Sequence, residues 1–141
     1  MTLLRGKVVS GEGSYAYWIA KLQPYYRSKT GMTLFPGTLN VRLDHPYILP
    51  AECVIRLEKE EYGGLVSVSI VPCRVLARQA FILRPDLRGE VTAHDVAERL
   101  ATLEVATDVK LRDVHDLKDG DEVAVEVPMW SGSSADGSTV S

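Results

Sequence analysis

The chain has few of the residues by which common functional sites are recognised. Its 141 residues include two cysteines and three histidines. Cys53 and Cys73 stand twenty positions apart, with no second pair and no histidine cluster beside them. That spacing matches neither a zinc site nor a disulfide framework, so both are read as buried, reduced thiols. His45, His94 and His115 fall in three different contexts and form no catalytic pattern. Neither GxGxxG nor a Gly-Lys-Ser/Thr phosphate loop occurs, which excludes the two commonest glycine-rich nucleotide cradles. No apolar run approaches the roughly 18 residues of a bilayer span, and Met1-Thr2-Leu3-Leu4-Arg5-Gly6 holds no sustained apolar segment. The expectation is a cytoplasmic protein with no membrane partner. Basic residues are not in excess either: the net charge is −3 and the pI about 5.6. Nothing electrostatic points to nucleic acid, and an anionic small ligand would have to be held by local groups.

What is present is an ordinary globular composition, 45% hydrophobic and 25% charged, in a length that fits one domain with its own core. Short apolar-alternating runs dominate. Residues 3–9 read as a strand ending in the small-residue loop Ser10-Gly11-Glu12-Gly13-Ser14, and Tyr15-Ala16-Tyr17-Trp18-Ile19 as a second strand returning beside it. On that reading Tyr15 and Tyr17 share a face, as core packing or as a stacking platform. Residues 20–30 form a short helix or an irregular connection closed by Gly31. Residues 53–60 and 65–71 form a hairpin through Tyr62-Gly63-Gly64, and the strand pattern continues over residues 74–77 and 80–83. Thr92 opens a helix, with Asp95 placed as the acid of a capping box and Val96, Leu100 and Leu103 as its apolar stripe. A second short helix starts at Thr107-Asp108. Leu117-Lys118-Asp119-Gly120-Asp121 is a turn into a last strand, 122–127. From 129 to 141 the composition collapses to small and polar residues, which predicts a disordered tail after a single domain of residues 1–128.

The turn Phe35-Pro36-Gly37-Thr38-Leu39-Asn40 is the centre of the pattern. Pro36 fixes one φ angle and Gly37 permits a positive one, so the chain reverses and delivers Thr38 and Asn40 into an extended segment. Two positions apart, their side-chain oxygens share a face. A hydroxyl and an amide carbonyl are hard, neutral oxygen donors of the kind Mg²⁺ accepts when phosphates supply the negative charge. By themselves they read equally as turn and strand-entry residues.

Three stretches in order resemble the archaeal-type CTP-dependent riboflavin kinases: Gly6-Lys7-Val8-Val9-Ser10-Gly11-Glu12-Gly13, then Phe35-Pro36-Gly37-Thr38-Leu39-Asn40-Val41-Arg42-Leu43, then Leu103-Glu104-Val105-Ala106 through Lys110-Leu111-Arg112 to Leu117-Lys118-Asp119-Gly120-Asp121-Glu122-Val123. Together they bracket residues 6–127. Separately from the resemblance, a monomer is expected. The resemblance implies a mainly β fold, a small six-stranded cradle-loop barrel with two or three short helices. It implies transfer of a phosphoryl group from CTP to the ribityl 5′-hydroxyl of riboflavin, giving FMN and CDP, with Mg²⁺ as cofactor. Thr38 and Asn40 are then metal ligands. Gly11, Glu12, Gly13, Ser14, Tyr15 and Ala16 form the loop over the nucleotide, and Val109, Lys110, Leu111 and Arg112 make a second nucleotide contact. Glu104 is the flavin-side acid, and Thr92 stands for a flavin-contacting threonine. The glycine-rich loop is shorter than the family's usual form, and the chain between Arg84 and Glu104 is longer. A barrel that binds flavin or nucleotide without transfer, or a riboflavin kinase with another nucleotide donor, are the alternatives. Apart from the resemblance, Glu104 reads as a strand-edge carboxylate, Arg112 as a solvated helix residue and Thr92 as a helix cap.

Overall fold

The computed structural model describes residues 1–11, 14–87 and 92–128, with Ser14 described by its backbone. The tail expected over residues 129–141 lies outside them. Seven strands are present: β1 (Thr2–Val9), β2 (Leu39–Leu43), β3 (Ile55–Leu57), β4 (Val68–Val75), β5 (Arg78–Pro85), β6 (Thr102–Ala106) and β7 (Glu122–Val127). Their order is β3-β4-β5-β6-β2-β1-β7, and β4 also pairs with β7. Six antiparallel strands therefore close on themselves, leaving β3 outside on β4. Closure removes the open edges that a six-stranded sheet would otherwise present.

Alternation explains most of the barrel. Leu39, Val41 and Leu43 of β2 point inward while Asn40 and Arg42 do not. They join Val8, Val71, Ile82, Val105 and Val125 in the interior cluster. β5 departs from alternation because both its faces are covered: Ala80 and Ile82 belong to the interior, Phe81 and Leu83 to a second cluster outside the barrel. Fully burying each such side chain contributes about 2 kcal/mol.

The second cluster exists because the segment after the first loop is helical. α1 (Ser14–Lys21) replaces the strand expected at residues 15–19, and α2 (Gln23–Thr30) is the helix alternative expected over residues 20–30. Ile19, Leu22 and Tyr26 recur at spacings of three and four and are all buried against Leu57, Ile70 and Leu83; a strand could not have placed them on one side. Tyr17 and Trp18 are consequently exposed while Tyr15 turns inward, so the two tyrosines do not share a face. α2 ends at Gly31, φ 74°, as expected of the helix-closing glycine.

Other differences are local. The connection from β3 to β4 contains a one-turn helix, α3 (Lys59–Tyr62). Leu76 and Ala77, expected in a strand, are the two-residue turn between β4 and β5, both at positive φ (52° and 63°), because Val75 pairs directly with Arg78. α4 (Ala93–Ala101) has the capping box expected of Thr92 and Asp95, but it stops at Ala101, so Leu103 packs from β6 and not from the helix. α5 (Leu111–Val114) starts later than Thr107. Thr107 still belongs to the barrel, where its buried hydroxyl donates to Gln79 O at 2.7 Å. Two or three short helices were expected; among the described residues there are five short α-helices, besides a 3-10 turn at Ala51–Cys53. Cys73 is buried as expected, whereas Cys53 is half-buried.

An alanine at φ 63° is in a region that L-residues enter at a cost of about 1 kcal/mol. Ala77 is exposed, so Ala77→Gly should remove that strain without opening a cavity. We expect the variant to be more stable by about 0.5 kcal/mol in urea unfolding; a loss of stability would show that the turn is not strained.

Candidate active site

The central turn is anchored at its start by Phe35 N–H, which donates to Thr107 O at 2.7 Å. Gly37 takes φ 151°, a value that side chains disfavour. The chain then enters β2, whose register with β6 sets Asn40 opposite Glu104 and Arg42 opposite Thr102. Thr38, Asn40 and Glu104 meet on that wall. The Thr38 hydroxyl lies 3.0 Å from Asn40 Oδ1 and 3.2 Å from Glu104 Oε1.

This wall belongs to a cavity of about 790 Å³. Among its lining residues are Ser10, Gly11, Ala16 and Arg112, and also Arg84, Arg99, Leu100 and Thr102. Gly11 passes so close to β2 that a Cβ there would overlap the Asn40 amide. Glycine is required here by space, since it lets the loop backbone lie against the wall.

Arg112, which lines the cavity, is held by two contacts. Its Nη2 donates to Val9 O at 3.2 Å and pairs with the Asp119 carboxylate. Asp119 also accepts from Ser10 Oγ at 2.7 Å. These donors hold the Asp119 carboxyl below its ordinary range, Arg112 contributing most and Ser10 next. Asp119 had no expected role beyond its turn; the turn ties Arg112 to the end of β1.

Arg84 continues β5 past the apolar run. Its Nη1 donates to Tyr47 O at 2.5 Å and its Nη2 to Leu100 O at 3.1 Å. Leu100 O also accepts from Tyr47 N–H at 2.8 Å. One guanidinium thus fastens the C-terminal turn of α4 to the segment after β2. Burial lowers its pKa, and no carboxylate pairs with it among the described residues. α4 is fixed further by Arg42, which pairs with Glu98 at 2.5 Å.

The expected site residues divide into three groups. Thr38, Asn40, Glu104, Gly11, Tyr15, Ala16 and Arg112 all line the cavity. Val109, Lys110, Leu111 and Thr92 do not. Leu111 is buried in the barrel interior, Lys110 is an exposed partner of Asp113, and the Thr92 hydroxyl caps α4 by accepting from Asp95 N–H at 3.0 Å. Glu12 and Gly13 lie outside the described residues, as does the side chain of Ser14. Ser10, Arg84, Arg99 and Thr102 were not anticipated in the cavity. Thr102 was legible: it lies two positions before Glu104 on one strand and therefore on the same face.

Hard oxygen donors with a cationic rim suit a polyphosphate carried by a divalent cation. Adjacent oxygens around an octahedral Mg²⁺ at about 2.1 Å are about 2.9 Å apart, close to the 3.0 Å between Thr38 Oγ1 and Asn40 Oδ1. That 3.0 Å is the hydrogen bond the Thr38 hydroxyl donates to Asn40 Oδ1, and the same spacing is compatible with two neighbouring ligands of such an ion. Among the described residues no group of three or more His, Cys, Asp or Glu could hold a metal. No helix among them is long and apolar enough to cross a membrane.

Comparison with known proteins converges on the same stretches. A family model labelled CTP-dependent riboflavin kinase, described as domain of unknown function DUF120, matches residues 8–127. A protein named riboflavin kinase from Methanocella arvoryzae is 38% identical over 129 residues, covering 87% of this chain and 56% of its own length. Another from Pyrobaculum aerophilum is 35% identical, with 88% and 60% covered. A third from Ignicoccus hospitalis is 33% identical, with 88% and 70% covered. The chain thus spans little more than half the length of the first two relatives.

Replacing Gly11 by alanine should push the Asn40 amide away from Thr38 while leaving the interior cluster intact. We expect turnover, assayed as described below, to fall at least tenfold with little change in melting temperature. Unaltered turnover would mean that the close approach has no part in the site.

Proposed function

Because the chain belongs to the CTP-dependent riboflavin kinase family, we propose that it transfers the γ-phosphoryl group of CTP to the ribityl 5′-hydroxyl of riboflavin. The hydroxyl oxygen forms a bond to phosphorus as the bridging oxygen leaves with CDP, and the hydroxyl proton is released. The observation that carries the proposal is the meeting of Thr38, Asn40 and Glu104 on one cavity wall, in a cavity that Gly11, Arg112, Arg84 and Thr102 also line.

The roles follow from charge and position. Phosphoryl transfer needs alignment and neutralisation of spread negative charge more than covalent help. Arg112, oriented by Val9 O and Asp119, supplies fixed positive charge for the nucleotide. The Gly11 backbone narrows the cavity against Asn40. Glu104 serves the acceptor, since a carboxylate can accept from ribityl hydroxyls and orient the chain. Thr38 and Asn40 would hold Mg²⁺. When bound, the ion would neutralise phosphate charge as a Lewis acid, and two neutral ligands leave most of its charge for that task.

Val109, Lys110, Leu111 and Thr92 are kept in the proposal only as neighbours. Their observed roles in packing, surface pairing and capping account for them. A cytoplasmic monomer without a nucleic-acid partner is proposed on composition alone.

The test is incubation of the protein with riboflavin, Mg²⁺ and each of CTP, ATP, GTP and UTP, with FMN followed by chromatography. FMN from CTP alone is expected. FMN from another donor would replace CTP in the proposal, and riboflavin binding without FMN from any donor would make this a binding barrel. Thr38→Ala combined with Asn40→Ala should reduce transfer by about a thousandfold, with an unchanged far-ultraviolet circular dichroism spectrum. Retained transfer would remove the pair from the mechanism.

A further inference from the structure

Tyr15 is the one site residue whose surroundings differ from its expected place in the nucleotide loop. Its hydroxyl is buried and meets no hydrogen-bond partner among the described residues. Leaving such a group unsatisfied forfeits its hydration with nothing in return, so native structures rarely keep one without a reason. The charged groups facing it are Glu104, Arg99 and Arg84, with the Tyr26 phenol beside them. Glu104, Arg99 and Arg84 line the first cavity, and Arg112 is not among the charges acting on Tyr15. Burial, then Glu104 and Tyr26, raise the Tyr15 pKa, and the phenol remains a proton donor at neutral pH.

A second cavity of about 440 Å³ adjoins this point and shares Tyr15 and Pro85 with the first. Its other walls are mostly apolar and aromatic, including Trp18, Leu22, Tyr26, Tyr62 and Val68. Tyr15 therefore stands where a polar cavity passes into an apolar one. The two chambers match a molecule that is polyhydroxylated at one end and a flat heteroaromatic ring at the other.

We propose that Tyr15 is a specificity-determining residue whose hydroxyl donates a hydrogen bond to a carbonyl oxygen or ring nitrogen of the isoalloxazine, which lies at the junction of the two cavities. The inference rests on the proposed function and deepens it. α1 explains the geometry: one helical turn before Ile19, Tyr15 shares the inward side of the helix, while Tyr17 and Trp18 point out. With the ring at Tyr15, the ribityl chain extends along Glu104 toward Thr38 and Asn40.

Tyr15→Phe removes one oxygen and keeps the ring packing. In a titration that follows quenching of flavin fluorescence by the protein, its dissociation constants for riboflavin and for lumiflavin, which lacks the ribityl chain, should both rise about tenfold. The calorimetric affinity for CDP with Mg²⁺ should not change. Unchanged riboflavin affinity with a raised melting temperature would overturn the proposal, since the hydroxyl would then be only a buried orphan. A weakened CDP affinity with riboflavin unaffected would overturn it too and return Tyr15 to the nucleotide. Weaker riboflavin with lumiflavin unaltered would place the contact on the ribityl chain, contrary to the inference. If the wild-type protein bound neither flavin, the proposed function itself would fail, a result distinct from any effect of the substitution.

Discussion

The register between β2 and β6 is the constraint on which the site depends. Asn40 stands opposite Glu104, and the Thr38 hydroxyl reaches both their side chains. A slip of one residue would turn Leu39, Val41 and Leu43 out of the interior and Asn40 into it. The interior cluster thus enforces the wall, because moving any of its polar groups would expose three buried side chains of one strand. Barrel closure extends the constraint, since β1 pairs with β2 on one side and β7 on the other. The end of β1 is then held beside the β7 turn, where Ser10, Asp119 and Arg112 link.

Around that wall the cavity is asymmetric. One part of it is made from backbone, small residues and one cation oriented by an exposed carboxylate. Another is made from α4 and β5, joined by Arg84. The two use different parts of the chain, so each can be perturbed without dismantling the other. The second cavity adds an apolar chamber only because α1 and α2 lie on the outside of the barrel.

Much of this was legible in the sequence where local chemistry and tertiary environment agree. The Phe35 to Asn40 turn, the Thr92 and Asp95 capping box, Gly31 and Gly120 at positive φ, and the last strand are all local patterns, and each is observed. The segment from Tyr15 to Ile19 was misread because its aromatic residues suit a strand, while the helical spacing that decides the matter runs on to Leu22 and Tyr26. Leu76 and Ala77 carry no turn signal, and only the pairing of Val75 with Arg78 reveals them. Of the site, Thr38, Asn40, Glu104 and Arg112 could be named from motifs that the family relationship supports. Arg84 and Asp119 could not, since each acts through contacts with carbonyls or side chains distant in sequence. Thr102 needed only the alternation of β6.

On the proposed function, a divalent cation and its nucleotide assemble on the wall made by Thr38 and Asn40. Mn²⁺ added with CDP to isotopically labelled protein should broaden the amide resonances of Gly11, Thr38 and Asn40 first, and leave those of Gly63 and Leu65 beside the second cavity sharp. Broadening centred elsewhere, or none in the presence of bound CDP, would contradict it.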